Sequence, residues 1–222
     1  MGNKGNNRHI KRLASSKYVK VNRKATSYIV KPNPGRHVKG SNIALITVLK
    51  EKLNVVDTTS EALKVLRFGK ISVNGKIVKD GKFPIGFNDV VSVLPSKEHF
   101  AVHVGKGGTF AISKEHALPF KVIGKYITKD NKTMIRLHNG NVMSAPEDVM
   151  VNDSVVLENG KATKVISMKA GSKCLVFNGT HSSEHGTIKD ITKGTATVDA
   201  TVTIDDGSRT FETLLENVIA IG

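Results

Sequence analysis

Three stretches of the chain carry residue types that can do chemistry. His181-Ser182-Ser183-Glu184-His185 has the H-x-x-E-H spacing of zinc peptidases, in which two histidines hold the metal. That chemistry needs a helix, so that both imidazoles share one face. Here the segment lies between Gly179 and Gly186 and between two strand-like runs, so it reads as a loop and no metal is expected. Cys174, the one cysteine, is flanked by Leu175 and Val176 and reads as a small core residue. Gly105-Lys106-Gly107-Gly108 lacks the spacing and the Lys-Ser/Thr ending of a P-loop, so it reads as a turn. No carboxylate pair stands out. The chain is therefore read as no enzyme, with no catalytic residue, no cofactor and no small-molecule substrate.

The remaining chemistry is that of positive charge. The 222 residues hold 34 Lys and Arg against 19 Asp and Glu, a net charge of +15. The excess is uneven. Residues 1–40 contain eleven bases and no acid, whereas residues 172–222 contain four bases and seven acids. A chain this basic condenses on nucleic acid or on an anionic membrane. No apolar run approaches the roughly 18 residues of a membrane helix, so no membrane-spanning segment is expected. The N-terminal cations are not followed by the apolar stretch of a signal peptide, and Asn6 stands where a myristoylation motif needs Ser or Thr. A single cysteine excludes an intramolecular disulfide framework. These features imply a cytoplasmic protein whose partner is a polyanion, either nucleic acid or an anionic membrane surface.

The elements that must position the cations can be read next. Asn, Gly and Ser interleave the bases of residues 1–41, and Pro32-Asn33-Pro34-Gly35 breaks any helix. This segment reads as an extended basic arm that orders on a polyanion. Arg8, Lys11, Arg12, Arg23 and Lys24 are its candidate polyanion contacts. Residues 42–53 read as a helix capped by Ser41 or Asn42, with Leu45, Leu49 and Leu53 at four-residue spacing. A second helix starts at Thr58, with Glu61 at capping-box distance and Gly69 at its end. Lys64 and Arg67 lie three apart on it, about 4.5 Å along the axis, a spacing suited to adjacent phosphates, with Lys70 just beyond. Asn74-Gly75 between Ile71-Ser72-Val73 and Lys76-Ile77-Val78 is a hairpin signal, since both central residues need positive φ. Lys76, Lys79 and Lys82 follow that turn. Pro84–Asp89 forms another turn, leading into the strand Val90–Val93. Residues 42–96 then form a small α/β module that resembles the S-four type of RNA-binding fold.

Beyond His99 helical periodicity fades. Phe100–Val104, Thr109–Ser113, Lys121–Ile127 and Met134–Leu137 read as strands, and His138–Asn141, Glu158-Asn159-Gly160 and Asp205-Asp206-Gly207 as turns. Residues 97–171 are expected to form a β barrel-like domain. In residues 172–222, Thr195–Ile204 alternates, with Ala196, Val198, Ala200, Val202 and Ile204 facing inward. Cys174–Phe177, the loop from Gly179 to Gly186 and Thr187-Ile188 resemble the KOW motif, an SH3-like β unit. The expected fold is mainly β, with the small α/β module at its N-terminal side.

The parts in this order resemble the archaeal and eukaryotic small-subunit ribosomal protein S-four-e family, over essentially the whole chain. The likeness rests on His9-Ile10-Lys11-Arg12-Leu13-Ala14, on Pro32, Gly35 and His37, and on Pro84-Ile85-Gly86-Phe87-Asn88-Asp89-Val90. Val151-Asn152-Asp153, Cys174-Leu175-Val176, Leu215-Glu216-Asn217 and Ile221-Gly222 complete it. Ser16 and Val19 stand where the family usually carries Pro and Trp, and Ser183 and Glu184 replace a glycine and a basic residue of the KOW-like loop. Ending at Gly222, the chain resembles the archaeal members. The resemblance implies a ribosome-bound structural protein of the cytoplasm. Its partners would be small-subunit ribosomal RNA and neighbouring small-subunit ribosomal proteins, with no membrane among them. On that reading Lys64, Arg67, Lys70 and Lys76 join the arm cations at the RNA, mostly at phosphates. Two rival readings are a non-ribosomal KOW-type RNA-binding factor and an RNA-modification enzyme carrying the module as an appendage.

Overall fold

The computed structural model describes residues 9–38, 40–114, 119–145, 149–158 and 161–222. Antiparallel strands dominate, as the sequence implies, and the chain divides into two compact units. The first takes in the described residues through Val102. The second takes in most of those from His103 onward.

The first unit opens with β1 (Ile10–Lys11) and β2 (Tyr28–Ile29), which pair antiparallel with Ile10 opposite Ile29. Val19 between them is buried. The described part of the basic segment is thus not the free arm expected from composition. It packs on the module behind it, because its polar groups find fixed partners there. The Asn33 N–H donates to Lys82 O at 2.8 Å, and Asn33 Nδ2 donates to Asp80 Oδ2 at 2.9 Å. The His37 ring meets Asp89 at 2.6 Å, in the turn before the module's last strand.

The first helix also departs from expectation. Ile43–Ala44 is a short strand, β3, paired with β6 (Pro84–Ile85), so the helix α1 begins at Leu45. Ala44, not Ser41 or Asn42, occupies the cap, and it offers no side chain. The orphan N–H groups of the first turn are met by backbone instead. Leu45 N donates to Phe83 O at 3.0 Å and Ile46 N to Gly81 O at 3.1 Å. A Cβ on Gly81 would lie 2.3 Å from Ile46 Cδ1, so only glycine permits this approach. After three residues α1 widens into a π-turn over Val48–Lys52, closed by Leu53 N donating to Val48 O at 2.9 Å.

The second helix, α2 (Thr59–Arg67), forms as its sequence predicts. Thr58 Oγ1 accepts from Glu61 N at 3.1 Å, and Gly69 takes φ +67° just past the end. Glu61 reaches back to Asp57 N at 3.2 Å, one residue before the box position. Leu45, Leu49, Ala62 and Leu66 are fully buried, as are Ile71, Ile85 and Val91 in the strands. The Asn74-Gly75 turn joins β4 (Ile71–Val73) to β5 (Lys76–Ile77), with φ of +49° and +77°. β4 also pairs with β7 (Val90–Val93), which pairs with β8 (Glu98–Gly105), the strand that leads out of the unit. β9 (Thr109–Ser113) follows.

The second unit contains two five-stranded antiparallel sheets. The central one runs β12 (Val142–Ser144), β11 (Thr133–Leu137), β10 (Phe120–Ile127), β13 (Ser154–Glu158), β14 (Lys161–Ile166). Phe120, Val122, Ile135, Leu137, Val149 and Val155 form its core. The other runs β18 (Thr210–Leu214), β17 (Thr201–Asp205), β16 (His185–Thr192), β15 (Lys173–Val176), β19 (Val218–Ala220). Cys174, Val176, Ile188, Val202, Ile204 and Phe211 fill its core.

The sheets are joined by polar contacts. Ser154 Oγ accepts from Ala220 N at 3.1 Å, and Asp153 accepts from the N–H groups of Met150 and Met168. Lys121, almost wholly buried, donates through Nζ to the carbonyls of Leu215 and Val218. Burial holds its ammonium down to a pKa of about 8, with Glu216 pulling the other way.

The alternating run Thr195–Ile204 is only half a strand. β17 starts at Thr201, and Thr195 N donates to Val198 O at 2.8 Å to close a turn. Val202 and Ile204 face inward as expected, but Val198 is exposed. The backbone of Val198–Ala200 folds back within 3 Å of where a Cβ on Gly194 would stand, which an extended strand could not do. The expected turn at Asn159-Gly160 lies outside the described residues.

Candidate nucleic-acid interface

α2 places Lys64 and Arg67 on its outward side, one turn apart, while Ala62 and Leu66 point into the core. Lys70 precedes β4, and Lys76 follows the hairpin turn. All four are exposed, and no carboxylate among the described residues pairs with any of them. From residue 62 to residue 79 the chain holds Lys64, Arg67, Lys70, Lys76 and Lys79 and not one acid. The structure therefore presents a set of cations on a rigid helix and hairpin, without internal neutralisation. Such a surface suits phosphates, which it can meet as counter-charges without giving up any existing pair.

The N-terminal cations divide. Lys11, Arg23 and Lys24 come together around one shallow recess with Leu13, Thr26 and Tyr28. All three are exposed, and Arg23 makes only a long contact, 3.4 Å to Leu13 O. Arg12 departs from the expectation of an RNA contact. It is 6% exposed, and its guanidinium grips Glu51 with both terminal nitrogens, at 2.9 and 2.6 Å. Nε donates to Thr26 Oγ1 and Nη1 to Asn22 O. The Glu51 hydrogen bonds raise the Arg12 pKa against the opposing effect of burial, so the guanidinium stays charged. Arg12 is committed to fastening the N-terminal segment to the π-turn of the module. Arg8 lies outside the described residues.

The KOW-like loop is closed upon itself. Ser183 takes φ +76°, a left-handed conformation that favours glycine, and Gly179 takes φ +89°. His181 Nδ1 meets Glu184 Oε2 at 3.0 Å, and Glu184 also takes an ion pair from Arg209. The His181 ring stacks on Phe211 at 4.3 Å between centroids. His181 thus sits in a turn and His185 opens β16, so the two do not share a helix face. Cys174 is buried in the sheet core, which pushes its thiol up to about 11 and leaves little reactive thiolate.

Three contributions were not legible beforehand. Lys121 looks like any strand lysine until the turn at Leu215 and the start of β19 at Val218 each place a carbonyl over it. The His37–Asp89 contact joins residues 52 apart in sequence. The Asp89 carboxylate is fully buried and also accepts from Asn74 Nδ2 at 2.6 Å and Gly86 N at 3.0 Å. A Cβ on Gly86 would lie 2.4 Å from the His37 ring, so that glycine makes room for the contact.

Comparison with known proteins agrees with this geometry. A model of the S4 domain matches residues 45–91, the stretch from α1 into β7. The small ribosomal subunit protein eS4 of Methanocella arvoryzae is 32% identical over 219 residues, covering 96% of this chain and 94% of its own. That of Thermoplasma volcanium is 33% identical over 220 residues, covering 96% and 92%. Among solved structures, the 30S ribosomal protein S4e of Thermoplasma acidophilum superposes with a TM-score of 0.68 at 26% identity, covering 83% of this chain and 96% of that one.

Proposed function

The chain belongs to the eS4 family of small ribosomal subunit proteins, and from that premise we propose that it is a structural constituent of the small subunit, held there through ribosomal RNA. It works in translation on the cytoplasmic ribosome, among neighbouring small-subunit proteins. The observation that carries the reading is the unpaired basic surface of the S4 domain, Lys64, Arg67, Lys70 and Lys76 on α2 and the hairpin. Lys11, Arg23 and Lys24 add a second basic patch in the same unit. The phosphates supply most of the affinity, and the fixed spacing of the cations selects the fold of the RNA in preference to its base sequence.

We read residues 1–41 as the basic segment, 42–96 as the RNA-binding module, 97–171 as a central β scaffold and 172–222 as the KOW-like part. The role is architectural and involves no bond making. The self-closed loop at His181–Glu184 supports protein contact for the KOW-like part in preference to RNA contact.

The test is sedimentation. The protein should travel stoichiometrically with small subunits in modest salt and be released as salt rises, since neutralising six to ten phosphates costs about 10³–10⁵ in affinity over that range. Migration with free RNA-modifying or transcription complexes, and absence from small subunits, would overturn the reading.

A further inference from the structure

The chain has eight phenylalanines, and seven are buried or half-buried. Phe68 is the exception, at 77% exposure. It follows α2 directly, one turn beyond Lys64, whose carbonyl accepts from Phe68 N at 3.1 Å. Phe68 therefore follows Lys64 by one turn at the end of the helix that carries the cations. Two further exposed apolar residues lie next to Gly69 and Lys70, which follow it in the chain. A Cβ on Gly69 would lie 3.4 Å from Ile77 Cγ2, and Leu94 N donates to Lys70 O at 3.0 Å. Ile77 is 59% exposed and Leu94 46%.

We infer that Phe68 is a stacking platform for one unpaired base of the ribosomal RNA, with the phosphates on either side of that nucleotide held by Lys64, Arg67 and Lys70. This rests on the RNA-binding reading above and deepens it. The charge decides the occupant. An apolar protein surface docked on Phe68 would have to bury or displace five cations that have no acid among residues 62–79 to answer them. A nucleotide offers a π-face and two phosphates together. Paired bases are hidden inside the helix stack, so an aromatic ring at the surface reaches only a base that is unpaired or splayed out. The ring needs no conformational change to receive it, because it is already exposed at the end of a capped helix.

The experiment uses the full chain and naked small-subunit ribosomal RNA of the same organism. Phe68→Ala should weaken binding roughly ten-fold without changing its salt dependence, because no cation is lost. Phe68→Tyr should bind as the parent does, and Phe68→Leu, apolar but unable to stack, should bind as Phe68→Ala does. Chemical probing should show one unpaired base protected by the parent and by Phe68→Tyr, and exposed with the other two. Unchanged melting of all four proteins is expected, since the ring packs on little. Parent-like affinity and protection in Phe68→Ala would overturn the inference while leaving the RNA-binding reading intact. So would a Leu variant as good as the parent, which would mean that the position makes a plain apolar contact and no base stacks on it. Failure of the parent itself to bind the RNA would instead overturn the reading beneath it.

Discussion

The α2–hairpin face and the His181–Glu184 loop are built from similar parts. Each has residues held at positive φ, Asn74 and Gly75 in one and Gly179 and Ser183 in the other. Each carries basic side chains at a chain reversal. Their electrostatics are opposite. On the first, Lys64, Arg67, Lys70 and Lys76 have no carboxylate partner among the described residues. On the second, Glu184 takes both His181 and Arg209. The number of cations on a surface is thus a poor guide to what it binds. What counts is whether an acid of the same chain has already answered them. Arg12 teaches the same lesson within the first unit, since Glu51 holds it while Lys11 beside it stays exposed.

The sharpest way to break the comparison is to separate folding from binding on α2. Leu66 is fully buried, and Leu66→Ala should cost about 2–5 kcal/mol of stability. Changing Lys64 and Arg67 together to Ala removes no core atom and keeps good helix formers, so stability should move by less than about 0.5 kcal/mol. RNA affinity should fall for all sequences alike, and the salt slope should drop by about one to two units. Melting and RNA titration on both variants check this. A double variant that unfolds, or binds RNA normally, would mean that the wrong side of α2 has been assigned to RNA.

Arg12 gives the next largest effect. Removing it strands a partly buried Glu51 carboxylate and releases the N-terminal segment, so Arg12→Ala should cost about 3 kcal/mol. Arg23→Ala, on an exposed residue, should leave melting unchanged and lower RNA affinity. If Arg12→Ala melts like the parent, the ion pair is incidental and Arg12 returns to the list of RNA contacts.

These contrasts show where the sequence was legible. Local signals were read well, because neighbouring residues satisfy them. Thr58 caps α2, Asn74-Gly75 turns the hairpin, and Leu45 and Leu49 face the core. Errors came where a distant segment supplied the partner. The N–H groups of Leu45 and Ile46 are met by residues 81–83, so no cap at Ser41 or Asn42 was needed. The basic segment is held by Glu51, Asp80 and Asp89, acids that charge counting assigned to another region. The Thr195–Ile204 alternation was real, but a turn at Thr195–Val198 interrupts it, and periodicity does not report the fold-back against Gly194. The exposure of Lys64 and Arg67 on α2 needed only helix geometry. The role of Lys121 required knowing that β19 lies over β10.

Lys121 extends the comparison to a cation satisfied by carbonyls alone. Its pKa of about 8 in the folded protein lies below the ordinary 10.5 of the unfolded chain. Below pH 8 both states are protonated, and this group gives stability no pH dependence. Between pH 8 and 10.5 the unfolded chain binds the extra proton, so stability contributed by Lys121 rises with pH, by at most about 1.4 kcal/mol per unit. The neutral amine still has two N–H groups for the two carbonyls. Urea unfolding of the parent and Lys121→Met at pH 7 to 10 checks this. Their difference should shift in favour of the parent above pH 8, and a flat difference would mean that the ammonium is better solvated than its burial implies.

The smallest expected effect tests the comparison most directly. Glu184→Ala removes the acid that ties His181 and Arg209, both of which also lean on the Phe211 ring. Because Glu184 is partly exposed, its loss should change stability by less than about 1 kcal/mol. If the loop is kept from RNA only by its own acid, the freed Arg209 should raise RNA affinity a few-fold and steepen the salt slope by about one unit. If the loop faces a protein neighbour, RNA binding should not change, but assembly into small subunits should weaken, because the closed shape of the loop is lost. Titration against naked RNA and incorporation into subunits separate the two. Unchanged results in both would mean that the ion pairs at Glu184 shape no interface, and that the contrast with α2 is one of charge alone.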